Sequence, residues 1–63
     1  MIEKLNSGKA KLVYLYIYEN GVVNVDDICT DLDETALSVF PILRTLTEEK
    51  NLVEKVDHRY RAI

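Results

Sequence analysis

A single thiol in 63 residues, Cys29, excludes an internal disulfide and fits a reducing interior. With one histidine, His58, it supplies two soft ligands, where a structural zinc site takes four. No metal site is expected. The same Cys29–His58 pair lacks a third orienting group and oxyanion donors, so no catalytic residue is expected either. Two glycines, Gly8 and Gly21, are too few and too far apart for a phosphate-cradling loop. The sequence shows no call for a cofactor or small-molecule ligand. No apolar run approaches the ~20 residues of a membrane span, and no secretory pattern opens the chain. The expectation is a cytoplasmic protein with no membrane contact.

A basic excess is also missing. The net charge is −3, which runs against phosphate binding, since phosphate attraction supplies most non-specific nucleic-acid affinity. The charge is unevenly spread, however. Asp26, Asp27, Asp31, Asp33 and Glu34 crowd one window that has neither calcium-loop spacing nor a central glycine. Cations gather at the start (Lys4, Lys9, Lys11) and at the end (Lys55, Arg59, Arg61).

What is present is apolar patterning. Nearly half the residues are hydrophobic (48%), enough for one globular domain spanning 1–63. A chain this short buries roughly 60% of its unfolded surface and gains from a partner subunit. Ile28 and Leu32 share a helical face over 25–32, with Asn24 as N-cap and Asp27 near the positive end of the dipole. Val39, Ile42, Leu43 and Leu46 mark a third helix over about 35–50. Between them, Asp33 and Thr35 are both suited to accept from free helix N–H groups. Pro41 lies inside the third helix and predicts a kink or irregular turn at 37–41. Asn51 is the expected left-handed residue after that helix.

Residues 11–18, KLVYLYIY, support two readings. Strict alternation of aliphatic and tyrosine side chains is a strand pattern, with Asn20-Gly21 closing a hairpin. A helix instead puts Ala10, Val13, Tyr14 and Ile17 on one face and uses Gly21 as its stop, with Ser7 as a candidate cap. The helix is preferred because Ile28 and Leu43 need a first helix to cover them. Residues 21–25 then form a short strand beside a C-terminal hairpin, 52–63, that turns at Asp57-His58. The expected core is Val13, Ile17, Ile28, Leu32, Val39, Leu43, Leu46, Leu52 and Val56.

In order and spacing, Val25-Asp26-Asp27-Ile28, Leu32, Thr35, Val39, Leu43, Leu46, Glu48-Glu49-Lys50-Asn51-Leu52-Val53 and Arg59-Tyr60-Arg61 resemble the winged helix-turn-helix superfamily of small archaeal, bacterial or viral DNA-binding regulators. The resemblance implies an α+β fold, mainly α, with three helices and a small antiparallel hairpin wing. It makes helix three the recognition helix and the hairpin a phosphate-binding wing. Candidate double-stranded-DNA contacts are then Thr35, Ser38, Arg44 and Thr45 on helix three, His58, Arg59 and Arg61 in the wing, and Lys9 and Lys11 on helix one. Three departures stand out. Cys29, or Ile28 if the frame slips by one, occupies a site that usually holds a small residue, Asp33-Glu34 replaces a glycine and an aliphatic residue, and helix three carries Pro41 and little positive charge.

Two functional classes follow: a homodimeric transcription regulator that binds DNA, or an interaction module whose apolar third helix and acidic rim bind protein. Apolar surplus at Tyr14, Tyr16, Tyr18, Leu37 and Phe40 motivates the homodimer.

Overall fold

Helix wins over strand in residues 11–18. A computed structural model describes residues 8–63, in which α1 runs Gly8–Asn20. The expectations for Lys4 and the Ser7 cap lie outside the described residues. The buried side chains of α1 are Ala10, Val13, Tyr14 and Ile17, so packing of one helical face overrides the strand preference of the tyrosines. Gly21, at φ 82°, ends the helix in the left-handed region, its N–H donating to the Ile17 carbonyl at 3.0 Å.

The chain then forms β1 (Val22–Asn24) and α2 (Val25–Leu32). Asn24 caps α2 as expected, accepting the Asp27 N–H at 2.8 Å. Asp33 closes α2 at φ 55°, and the Glu34 N–H returns to the Cys29 carbonyl at 2.9 Å. This is the closure usually made with glycine, here made by an aspartate that tolerates the left-handed region. Thr35, and not Asp33, caps α3 (Ala36–Arg44) by accepting the Ser38 N–H at 3.3 Å.

The third helix differs from expectation in where it is irregular. Pro41 sits within regular α-helix, and the departure comes later, as a π-helical turn over Thr45–Glu49. Pro41 and Leu37 both lie on the exposed side, where water can reach the carbonyl that loses its donor. In the π-turn the Lys50 N–H donates five residues back, to Thr45 at 2.9 Å, which fits one extra residue into the turn. Leu46 stays in the core, and Asn51, at φ 55°, ends the segment as expected.

Strands β2 (Val53–Val56) and β3 (Arg59–Ala62) complete a three-stranded antiparallel sheet in the order β1-β3-β2. Asp57, at φ 58°, takes the strained position of the Asp57-His58 turn. The register sets Val23 and Lys55 on either side of Tyr60, and Val22 and Glu54 on either side of Arg61. Val53, Tyr60 and Val23 therefore point into the core while Arg59 and Arg61 point out.

The described residues form a small α+β domain, mostly helical, with three α-helices and this sheet. Ile17, Ile28, Leu43, Leu46, Val13, Val39 and Val53 are its fully buried side chains. Two expected core residues are corrected. Leu32 is only partly buried, and Val56 is 42% exposed. Val56 pairs with Arg59, on the outward phase of the hairpin, and Val53 takes the inward role. Tyr14 is buried with Ala10, Val13 and Ile17, as the helical reading of residues 11–18 places it, with its ring 6.2 Å from that of Tyr18.

Candidate interaction site

Capping by Thr35 starts α3 immediately after the acidic turn, and this phase decides what the helix shows to solvent. Val39 and Leu43 turn inward; Ala36, Leu37, Phe40, Pro41 and Arg44 turn outward. Leu37 is 88% exposed and Phe40 50%. Spacings of three and four residues join these side chains into one apolar stripe that ends in a single guanidinium.

The polar groups foreseen on this helix are largely occupied. Thr35 is the cap, and Ser38 is half-buried above it. The Thr45 hydroxyl donates to the Pro41 carbonyl at 3.1 Å. Arg44 meets Glu48 at 3.6 Å, one turn on. The pair is well exposed and contributes little to stability, but it lowers the positive field at the end of the stripe.

The hairpin places Arg59 and Arg61 on the solvent side of the central strand, flanking the inward Tyr60. This is the alternation foreseen for them. Arg61 is engaged by Glu54 on the neighbouring strand, whereas Arg59 has no ion-pair partner among the described residues. His58 is exposed at the hairpin tip beside Asp57. Lys55, absent from the sequence-derived site, reaches back over the Tyr60 ring at 6.0 Å from its centroid. It borders a shallow cleft of about 300 Å³ shared with Phe40, Arg44 and Glu48.

Lys9 and Lys11 do not join these groups in a shared ion-pair network. Lys9 is held by Glu34 at 3.2 Å, tying the first turn of α1 to the turn before α3. Lys11 is partly buried on α1. Carboxylates occupy several approaches to the domain: Asp26 and Asp27 in the first turn of α2, Asp33 and Glu34 before α3, and Asp57 at the hairpin tip.

One further polar contact fixes α1 against α2. The Tyr16 hydroxyl donates to Asp31 Oδ2 at 2.6 Å and lies 3.4 Å from the Asp27 carbonyl. Asp31 stands near the C-terminal end of α2, where the helix dipole disfavours a negative charge, and the phenol supplies a donor there. The hydrogen bond to Asp31, then desolvation and the Asp31 and Asp27 charges, push the Tyr16 pKa up from 10.0 to about 12.

Leu37, Phe40 and Pro41 are the functional candidates that a polar-residue search passes over. Their signal in the sequence is an excess of apolar residues over what one helical face can bury. Among the described residues there is no cluster of three or more histidine, cysteine, aspartate or glutamate side chains able to hold a metal. No described helix is long and apolar enough to cross a membrane. Comparison with protein-family models, with curated proteins and with solved structures finds no match.

Proposed function

We propose that this chain is a winged-helix module that docks protein through the solvent side of α3. The element order α1-β1-α2-α3-β2-β3 and the sheet order β1-β3-β2 support the winged-helix reading. The observation that carries the function is the exposed stripe Leu37, Phe40, Pro41. A helix that reads base edges needs donors and acceptors at those outward positions. Here they are apolar, and Asp33 and Glu34 stand where phosphate would approach the helix start. An exposed apolar stripe rimmed by charge is instead the composition of a protein-contact surface.

A photo-crosslinking residue in place of Phe40, activated in cells, tests this. Adducts with protein are expected; adducts with nucleic acid overturn the reading.

A second reading keeps the domain as a DNA-binding regulator. Its specific support is the pair Arg59 and Arg61, side by side on the outer face of the wing. Such contacts position a protein on the backbone without reading sequence. Double-stranded DNA would then be held weakly, and chiefly through the wing.

A further inference from the structure

We infer that the protein partner of α3 presents a bulky apolar side chain next to a carboxylate. The side chain enters the cleft lined by Phe40 and Tyr60, and the carboxylate meets Lys55 and Arg44 at its rim. The inference rests on the protein-docking reading and states the chemistry of the partner.

Helix α3 and the hairpin build this cleft together. Tyr60 points inward from β3, and Lys55 stands opposite it in β2, on the same face of the sheet. The end of α3 and the π-turn complete the walls with Phe40, Leu43, Arg44 and Glu48. Leu43 and Tyr60 are buried and form an apolar base, and the half-exposed Phe40 ring forms one side. The space, about 300 Å³, is at the lower end of the roughly 300–1,000 Å³ of small-ligand clefts. It suits one large side chain.

Charge selects the side of α3 and the sign of the partner. Phe40 and Arg44 each border two clefts. The one beside Pro41 includes Glu49, whereas the one beside Tyr60 includes Lys55. Around the second, two cations face one carboxylate. Arg44 meets Glu48 at 3.6 Å, and Lys55 has no ion-pair partner among the described residues. The Tyr60 ring holds the Lys55 ammonium nearby, 6.0 Å from its centroid. One positive charge is thus left uncompensated beside an apolar surface, and a single carboxylate supplies its counterpart. Arg44 has donors enough to keep Glu48 and still share that carboxylate. A phosphate backbone would meet the same cations but leave the space beside Phe40 wet, and Glu48 opposes its repeated charge.

Titration of the isotope-labelled whole chain with a synthetic peptide, followed by NMR shifts, provides the test. The peptide carries leucines along one helical face with glutamates beside them; a control carries lysines in place of the glutamates. The acidic peptide should shift Phe40, Arg44, Lys55 and Tyr60 most, and should bind more weakly as salt rises. Lys55 is exposed, so Lys55→Glu should keep the parent's fold. That variant should weaken the acidic peptide by about tenfold and gain affinity for the lysine peptide. Lys55→Gln, which only removes the charge, should give a smaller loss in the same direction.

Equal binding of the two peptides to the parent overturns the inference, as does a Lys55→Glu variant that binds the acidic peptide undiminished. Absence of any binding at low salt overturns it too. A single-stranded oligonucleotide that shifts these residues where the acidic peptide does not assigns the cleft to nucleic acid instead. Protein adducts at position 40 that persist undiminished alongside Lys55→Glu defeat the acidic partner and leave the docking reading intact. Nucleic-acid adducts at position 40 defeat both.

Discussion

The Tyr16 hydroxyl and the Asp31 carboxylate, 2.6 Å apart, join α1 to α2 across the outside of the core. The contact pushes the phenol's pKa up to about 12. Because the folded state holds the proton more tightly than the unfolded chain, the sign of the pH dependence is fixed. The stabilisation is fully present below the ordinary tyrosine value near 10 and is lost as pH rises toward 12. Tyr16→Phe should lower the thermal midpoint at neutral pH. The difference between parent and variant should shrink between those two values. A difference that stays constant across that range would sink the assignment.

Leu43 tests the core from the other side of the same helix that carries the stripe. It is 1% exposed, among Val39, Leu46 and Ile28. Leu43→Ala should cost about 2–5 kcal/mol in denaturant unfolding, whereas Val56→Ala, on the outward phase of the hairpin, should cost well under 1 kcal/mol. Equal losses at the two sites would show that the hairpin phase is misassigned.

The helical faces were legible because packing leaves a periodic trace. Ile28 and Leu32 mark α2 and Asn24 marks its start, since few residues cap well, whereas Asp33 and Thr35 are both suited to cap α3 and only the fold selects Thr35. Residues 11–18 were ambiguous for a physical reason: alternation and helical spacing both place an aliphatic stripe there, and only the need to cover Ile28 and Leu43 distinguishes them. Val56 was misplaced because Leu52 and Val56 share a strand face only if the strand starts at Leu52. The chain instead leaves Asn51 in a left-handed conformation, and the inward phase begins at Val53. The π-turn was not legible, because Thr45–Glu49 has no residue that marks it.

The candidate site was legible in part. Arg59, Tyr60 and Arg61 alternate as read, and the surplus of Leu37 and Phe40 was visible before their exposure was. What sequence could not give was the pairing of cations with acids far along the chain. Lys9 with Glu34 and Arg61 with Glu54 depend on how α1 and the hairpin lie against the rest. Of the cations named as DNA contacts, Lys9, Arg44 and Arg61 are each held by a carboxylate. That redistribution, more than the net charge, weakens the field that phosphate would meet.

Asp33 offers a stabilising change. Its backbone is left-handed at φ 55°, and its carboxylate follows the negative end of α2. Asp33→Gly relieves both, against a larger loss of chain entropy on folding. The net expectation is a gain of up to about 1 kcal/mol, read as a higher urea midpoint with unchanged slope at concentrations where the chain is monomeric. A lower midpoint would mean that the Asp33 side chain makes a stabilising contact of its own.

The wing provides the discriminating prediction for DNA. Each phosphate contact contributes about 0.9 to the slope of log affinity against log salt, so the two arginines can be counted separately. Arg59 is unpaired among the described residues and should account for about one such contact, while Arg61 must first leave Glu54. Arg59→Ala should therefore flatten the slope by about 0.9, and Arg61→Ala by less. Glu54→Gln should do the opposite, releasing Arg61 and removing a negative charge from the same face. It should raise affinity for generic duplex and steepen the slope by up to about 0.9. Fluorescence anisotropy with duplexes of unrelated sequence, from low to moderate salt, measures all three. On the regulator reading every sequence is affected alike, because the side chains involved touch backbone and not base edges. If the parent binds no duplex at low salt and Glu54→Gln does not create binding, the wing is not a phosphate surface. Arg59 and Arg61 then serve to keep the exposed sheet face soluble.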